Sequence, residues 1–160
     1  MAIPDNIHFR PAVKADIPAL CSLLEQLFTL EADFQPDAEK QARALARLIS
    51  HSEAGASPGC LVWLALDGQE VVGMCTVQVY ISTAEGGDVG LVEDVIVSAD
   101  YRQHGIGREM LRGLENWARQ QGLSRLQLLA DKHNQRALAF YQRTGWCHTQ
   151  LICQRKTISV

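Results

Sequence analysis

Apolar residues recur along this chain at two spacings, and each spacing predicts a different kind of element. Spacings of three and four residues predict amphipathic helices, whereas short runs rich in Val, Ile and Leu predict strands. The predicted helices cover residues 16–28, 37–49, 105–121 and 134–143. The predicted strands are 7–10, 60–66, 70–80, 91–97 and 126–130, with a closing strand or pair of short strands in 146–156.

Residues with special capping or turn chemistry mark the ends of these elements. Asp16 and Asp37 are predicted N-caps of the first two helices. Gly122 and Gly145 are predicted to end the last two helices, because glycine accepts the left-handed conformation that follows a helix. The Asp67-Gly68 pair between two apolar runs predicts a tight β-hairpin.

The order of the elements predicts the fold class. Two stretches with neither spacing, 51–59 and 82–90, are predicted loops. Antiparallel hairpins come first, and a strand–helix–strand–helix series follows. That order implies an α/β protein with a mixed (α+β), mostly antiparallel central sheet and helices on both faces. The 160 residues fit a single domain over 1–160.

Composition narrows the partners of this domain. The net charge is −3, which argues against nucleic acid, because counterion release requires a basic face. The longest apolar run, 61–66, is too short to span a membrane, and residues 1–11 lack the apolar core of a signal peptide. A cytoplasmic protein without a membrane partner is expected. The five cysteines form no C-x-x-C pair and the histidines share no metal spacing, so no metal is predicted.

A glycine-containing turn connects the predicted strand 91–97 to the helix that follows. The turn reads R-Q-H-G-I-G over residues 102–107, and Arg108 comes next. The first N–H groups of a helix and the positive end of its dipole favour an anionic phosphate. Two nucleotide motifs fail here: the third glycine of the dinucleotide fingerprint is replaced by Met110, and the Gly-Lys-Ser/Thr of a P-loop is missing. A tight turn with no ligand is the alternative interpretation.

Two segments together resemble a known family. The R-x-x-G-x-G pattern at 102–107 resembles the coenzyme A-binding signature of the GNAT acetyltransferases. The segment 134–146, N-Q-R-A-L-A-F-Y-Q-R-T-G-W, is similar to that family's N-x-x-A-x-x-F-Y-x-x-x-G-F, with Trp146 in the aromatic position. The close resemblance covers residues 89–146. The V-E-D at 92–94 is similar to the spermidine/spermine and related small-amine acetyltransferases, whereas Gln103 stands where many relatives have glycine.

The resemblance implies a GNAT-like acyl-CoA N-acyltransferase fold and the transfer of an acetyl group from acetyl-CoA to an amine. Acetyl-CoA is then a co-substrate and no metal is involved. The turn chemistry and the resemblance together give the predicted cofactor-binding residues: Val95, Ile96, Val97, Arg102, Gln103, His104, Gly105, Ile106, Gly107, Arg108, Asn134, Ala137 and Tyr141.

Proton transfer is the chemistry that such a reaction needs. An alkylamine has a pKa of about 10, so at neutral pH on the order of one molecule in a thousand is an unprotonated nucleophile. Glu93, on the central strand, is the predicted base, and its alternative is a solvated carboxylate on a sheet face. Asp94 would point to the opposite face of a regular strand, but a bulge, which the family often has, would change that. Glu93 and Asp94 are also the predicted substrate-binding residues.

The departing thiolate needs a proton donor, and the resemblance gives this role to Tyr141. Its alternative is an aromatic side chain that packs beside Phe140. Direct attack in a ternary complex is predicted, with strand amides near Val95 polarising the thioester carbonyl. A covalent cysteine intermediate is the rival mechanism, and it is disfavoured because neither motif contains cysteine.

Acidic residues around the expected acceptor site favour a cationic acceptor, such as a polyamine, an amino compound or a basic side chain. They are Glu25, Glu31, Asp33, Asp37, Glu39, Glu85 and Asp88, which otherwise are solvated surface charges. Two other functions stay open: an acetyltransferase acting on a protein N-terminus or lysine, and a non-catalytic acyl-CoA sensor. The closing β segment favours a homodimer.

Overall fold

Five strands form one mixed sheet in the computed structural model, which describes residues 3–31 and 33–158. The chain divides into two units, Met1–Leu128 and Leu129–Val160, and the sheet lies in the first. Its strands follow the chain order: β1 (Ile7–Pro11), β2 (Cys60–Asp67), β3 (Glu70–Ser82), β4 (Gly87–Val97) and β5 (Leu126–Leu128). The first four are antiparallel, and β5 is parallel to β4. The predicted mixed, mostly antiparallel sheet is confirmed.

Three helices cover the two faces of this sheet. They are α1 (Ile17–Leu30), α2 (Ala38–Glu53) and α3 (Ile106–Gln120). Leu64 of β2 lies in the apolar core with Leu20 of α1 and Leu45 of α2. Trp63, one position earlier, points to the opposite face, where a Cβ on Gly113 of α3 would lie 2.5 Å from its Nε1. The predicted helices on both faces are thus confirmed.

Capping residues hold the helix ends largely as predicted. The Asp37 side chain accepts a hydrogen bond from the Lys40 N–H at 3.1 Å and begins α2. Asp16 occupies the cap position of α1, but its carboxylate instead accepts two bonds from the guanidinium of Arg10, at 2.7 and 2.9 Å. That ion pair lowers the pKa of Asp16, chiefly through the hydrogen bond. Within the described ranges, no helix is long and apolar enough to cross a membrane.

Both predicted loops are shorter than expected. Helix α2 runs to Glu53, so the loop begins after 53 rather than at 51. The hairpin between β3 and β4 is tight, because Ser82 already faces Gly87 in the register and Gly86 takes φ 67° in the turn. The glycines and acids of 82–90 suggested a loop, but pairing with β3 orders most of them.

The described part of the second unit, residues 129–158, contains one helix, α4 (Gln135–Arg143). The side chain of Asn134 caps it by accepting from the Ala137 N–H at 3.0 Å, and Gly145, at φ 93°, follows its end as predicted. Among residues 129–158 of this unit, the predicted closing strand in 146–156 does not form. Leu151 and Ile152 are 86% and 80% exposed, so this segment buries too little apolar surface to hold a strand in place.

Candidate functional site

A bulge interrupts β4 at the two residues that follow Glu93. The register pairs Thr76 with Glu93 and Met74 with Ile96, so Asp94 and Val95 together face one residue of β3. Asp94 takes φ 54°, a left-handed conformation that is uncommon for residues other than glycine. A bulge bends the strand and leaves backbone groups outside the ladder. Asp94 and Val95 therefore lie outside the regular register of β4, the strand predicted to contact the cofactor.

The bulge brings the carboxyl groups of Glu93 and Asp94, here called the carboxyl pair, to one face of the sheet. The Thr76 hydroxyl donates to Asp94 Oδ2 at 3.1 Å, and the Gln78 amide lies 3.5 Å from Glu93 Oε2. Thr76 and Gln78 are two residues apart on β3 and thus share a face. The strand is not regular here: the bulge considered as the alternative is present, and the extra residue turns Asp94 to the same face as Glu93.

The face that carries the carboxyl pair is covered at one end and open at the other. Met74 belongs to the core beneath α1 and α2, and Thr76, two residues on, is 1% exposed. Further along β3, Gln78 and Tyr80 are exposed. A small molecule approaching from the open end would meet the carboxyl pair at the border between core and solvent.

The two acids of the carboxyl pair differ in their surroundings. Asp94 is half-buried, and burial raises its pKa from 3.8 to about 6, with a smaller contribution from the negative charge of Glu93. The hydrogen bond from Thr76 acts in the opposite direction. Glu93 is exposed. A carboxyl group with a pKa near neutrality is suited to general base catalysis, because it is ionised at pH 7 yet retains affinity for a proton.

After β4 the chain forms the glycine turn, defined as residues 102–107. Arg102 Nε donates to the carbonyl oxygen of Val97 at 2.8 Å and closes the turn against the strand end. The preceding Tyr101 hydroxyl donates to the carboxylate of Asp67 at 3.1 Å and lies 3.3 Å from that of Glu70. These acceptors raise the pKa of Tyr101 to about 12. The turn is thereby attached to both β4 and the β2–β3 hairpin.

The glycine turn has features that fit a phosphate. Gly105 is the N-cap of α3 at φ 82°, and as a glycine it offers no side-chain acceptor to the first N–H groups of the helix. The Nδ1 atom of His104 is buried and has no hydrogen-bond partner in the part of the chain that the structure describes. Gln103 takes φ 69°, a left-handed conformation that glycine adopts freely.

The predicted residues of the second unit lie on and beside α4. Asn134 caps the helix through Ala137, which confirms its structural role. The Tyr141 ring lies 5.3 Å from that of Phe140 and 6.1 Å from that of Trp146, with the latter pair edge to face. The aromatic packing considered as an alternative for Tyr141 is therefore present.

Several acids expected near the acceptor site have basic partners. Glu85 lies 3.1 Å from Arg125, and Asp37 lies 3.2 Å from Lys40. Glu39 is 3.9 Å from an arginine one turn along α2. Because these acids are paired with basic side chains, they contribute less negative charge than the sequence suggested. The carboxyl pair is therefore the main feature that favours a cationic acceptor.

Sequence reasoning missed Thr76 and Tyr101. Thr76 is a polar residue within the apolar run of β3, and a buried hydroxyl in such a place requires a hydrogen-bond partner. Tyr101 directly precedes the turn motif, but its contact with residues 67 and 70 is long-range and leaves no local pattern.

Solved structures share this fold. An aminoglycoside acetyltransferase from an uncultured soil metagenomic sample, in complex with sisomicin, is 21% identical, with a TM-score of 0.76, 97% of this chain and 98% of that chain covered. An acetyltransferase from Clostridium acetobutylicum, with acetyl-CoA, is 17% identical, with a TM-score of 0.74, 94% and 96% covered. At these identities the likeness concerns the fold alone.

The amino-acid sequence is similar to that of a named relative and matches a protein family. Aminoglycoside N(6')-acetyltransferase type 1 from Stenotrophomonas maltophilia is 25% identical over 145 residues, which cover 89% of this chain and 90% of that protein. Residues 20–146 match the acetyltransferase (GNAT) family. Because this match covers well over half of the chain, the protein belongs to the GNAT family of acetyltransferases, which use acetyl-CoA as their co-substrate.

Proposed function

We propose that this protein transfers the acetyl group of acetyl-CoA to a primary amine of a small molecule that carries more than one positive charge. The observation that carries the proposal is the bulge in β4, which presents Glu93 and Asp94 on one face, beside the strand end that leads into the glycine turn. Two carboxyl groups at an open sheet face attract ammonium groups.

The proposed reaction is direct attack in a ternary complex. A carboxylate of the carboxyl pair accepts one proton from the acceptor ammonium and leaves a neutral amine. The amine nitrogen attacks the thioester carbonyl, a C–N bond forms, and the C–S bond breaks. The coenzyme A thiolate departs and takes up one proton, and the amide nitrogen loses its second proton. Backbone N–H groups near Val95, outside the ladder, are proposed to polarise the carbonyl oxygen.

Acetyl-CoA is proposed to bind along the strand end and the glycine turn. The main chain of Val95, Ile96 and Val97 would contact the pantetheine arm, and residues 102–108 the pyrophosphate. The α3 N-terminus and the orphan Nδ1 of His104 support that assignment. In the second unit, Asn134, Ala137 and Tyr141 retain the cofactor roles that the family resemblance implies.

The acceptor is proposed to be a polyamine or an amino sugar with several amino groups. The V-E-D of β4 resembles small-amine acetyltransferases, whereas the curated relative and one solved neighbour are named for aminoglycosides. Both kinds of molecule are polycations at neutral pH, so one carboxyl pair suits either. Relative turnover on the two kinds of molecule distinguishes a linear polyamine from an aminoglycoside as the acceptor.

Thiol release measured with acetyl-CoA tests the proposed function. The panel contains a linear polyamine, an aminoglycoside, a monoamine of similar size whose other amino groups are replaced by hydroxyl groups, and a lysine-containing peptide. Turnover that is fastest with a polycation supports the proposal, and preference for the peptide favours a protein acetyltransferase. Binding of acetyl-CoA without turnover on any amine would indicate a sensor and would overturn the proposal.

Calorimetry with acetyl-CoA tests the glycine turn separately. Gly105→Glu places a negative side chain at the proposed pyrophosphate site, and loss of binding is expected. The matched control is Gly55→Glu, at a glycine that also has positive φ, 58° against 82° at Gly105, and where an added Cβ would meet no atom within 4 Å. Equal loss of binding in both variants would mean that backbone strain, and not the phosphate site, explains the result.

Replacement of Tyr141 by Phe tests the proposed proton donor. The variant keeps the ring contacts with Phe140 and Trp146 and removes only the hydroxyl group. We expect kcat to fall by about 10²-fold, as for other general acids, with little change in acetyl-CoA binding by calorimetry. A wild-type kcat would leave Tyr141 with its packing role.

A further inference from the structure

We infer that Asp94 is the proton acceptor of the carboxyl pair and that Thr76 is its positioning residue, whereas Glu93 binds a positive charge of the acceptor. This inference rests on the proposed function and deepens it. The sequence pointed to Glu93 for proton removal, and it offered no role for Thr76. The separate environments of the two acids are the basis for dividing the roles between them.

Thr76 holds the Asp94 carboxylate by a buried hydrogen bond. Its side chain is 1% exposed, and its hydroxyl donates to Asp94 Oδ2 at 3.1 Å. A hydroxyl that is removed from water and given one partner is costly to leave unsatisfied. The bond therefore fixes one carboxylate oxygen, and the second oxygen of Asp94 is the one that can receive a proton.

The backbone conformation at Asp94 also supports a role for its carboxyl group. Its φ of 54° is unfavourable for a residue with a Cβ, by about 1–2 kcal/mol. Glycine would take this conformation freely, and glycine does so at Gly105 in the glycine turn. A strained aspartate at a bulge indicates that the carboxyl group itself is required, because strain of this kind concentrates at functional sites.

Glu93 has the surroundings of a binding residue. Its side chain is exposed, and its carboxylate meets only the long contact of 3.5 Å from the Gln78 amide among the hydrogen bonds of the described side chains. An exposed carboxylate can pair with an ammonium group of a polycation. Its negative charge also raises the pKa of Asp94 and so strengthens Asp94 as a base.

Other titratable groups near Asp94 leave this division of roles intact. The thiol of Cys75, on β3, is fully buried, and burial raises its pKa, so it is neutral at pH 7. Helix α1 packs on this side of the sheet, and its titratable residues are Cys21 and Glu25. Burial raises the pKa of Cys21, and Glu25 is exposed. Glu93 is thus the charged neighbour that acts on Asp94.

The surroundings of Asp94 determine which way the proton moves. The Asp94 carboxylate accepts a proton from the acceptor ammonium, and the neutral amine attacks the thioester. Burial favours the protonated acid, whereas the Thr76 hydroxyl favours the charged carboxylate. Thr76 therefore keeps Asp94 ionised in the neutral pH range, where it can act as a base.

The pH dependence of kcat/KM for the amine tests this inference. Three proteins are compared from pH 5 to 9 with saturating acetyl-CoA: wild type, Thr76→Val and Thr76→Ser. At low pH, kcat/KM falls as the base becomes protonated, and this part of the profile is its acid limb. Valine has the shape of threonine but no hydroxyl, so the midpoint of the acid limb should rise by about one pH unit. Serine retains the hydroxyl and should return the limb close to its wild-type position. A limb that stays in place in active Thr76→Val overturns the role of Thr76.

Asp94→Asn provides a second test that does not depend on the folding of Thr76→Val. The acid limb near pH 6 should disappear together with most of the activity, while calorimetric binding of acetyl-CoA persists. A limb near pH 6 that survives in Asp94→Asn and is lost in Glu93→Gln would return the base to Glu93 and overturn the inference. Absence of turnover by the wild type on every amine is a different result, because it would remove the proposed function itself.

Discussion

The bulge at Asp94 and the glycine turn both use left-handed backbone, but they use it for different purposes. In the turn, Gly105 and Gln103 have φ values of 82° and 69°, and the groups expected to bind a ligand are main-chain N–H groups. In the bulge, Asp94 has φ 54°, and the group of interest is its side chain. Under the proposed function, the turn therefore acts chiefly through its main chain, whereas the bulge acts through one particular carboxyl group.

Replacement of the strained Asp94 by glycine should break this comparison most strongly. Asp94→Gly relieves the backbone but removes the proposed base, so kcat/KM should fall by about 10²-fold or more. The measurement is steady-state thiol release with a polycationic amine at pH 7.5. Asp94→Gly that retains activity within a few fold of wild type would show that the bulge, like the turn, works through its main chain.

Arg102→Lys sharpens the comparison on the side of the turn. Lysine keeps the positive charge but lacks the Nε–H that donates to the Val97 carbonyl at 2.8 Å. We expect KM for acetyl-CoA to rise about tenfold, or about 1.4 kcal/mol, with a smaller change in kcat. Arg102→Ala serves as the reference. If lysine behaves like wild type and alanine does not, the charge alone matters and the strand contact does not.

The charge of Asp94 should also affect the free energy of unfolding. Its pKa is raised from 3.8 to about 6 in the folded protein, so the protonated form is favoured there. The stabilising contribution is complete below about pH 4 and is lost as the pH rises through about 6. Asp94→Asn should therefore be more stable than wild type at pH 7.5 by about 1–2 kcal/mol, after allowance for partial exposure.

Urea unfolding at two pH values checks that sign. The difference in the free energy of unfolding between Asp94→Asn and wild type should be small at pH 4 and larger at pH 7.5. An equal difference at both values would attribute the change to packing and not to the carboxylate charge.

Gln103→Gly should have the smallest effect. The substitution removes the cost of a side chain at φ 69° but increases the freedom of the unfolded chain, and the two partly cancel. We expect stabilisation of less than about 1 kcal/mol in urea unfolding. A clear loss of stability would show that the Gln103 side chain makes a contribution beyond its backbone.

The same contrast explains how much of the site the sequence could predict. Glycine is a strong local signal, and the R-x-x-G-x-G pattern at 102–107 led to the start of α3 within one residue. The bulge has no such signal, because Leu91 to Val97 reads as a regular apolar strand interrupted by two acids. The face of Asp94 depends on its pairing with β3, which no local pattern contains.

The fold shows the same contrast between local signals, which the sequence contains, and long-range pairing, which it does not. Strands and helices with clear periodicity were predicted correctly, as were the caps at Asp37 and Asn134. The hairpin after Ser82 and the segment 146–156 were predicted less well, because pairing and burial decide them. Ser82 gains a partner in Gly87, whereas Leu151 and Ile152 remain exposed.

Selectivity for charge is the most direct test of the account, since its central claim is that the carboxyl pair receives a cationic amine. The measurement is the ratio of kcat/KM for a diamine to that for a matched monoamine whose second amino group is replaced by hydroxyl, in wild type and in Glu93→Gln. We predict that wild type prefers the diamine and that Glu93→Gln lowers the ratio about tenfold. A ratio that is the same in both proteins would contradict the account.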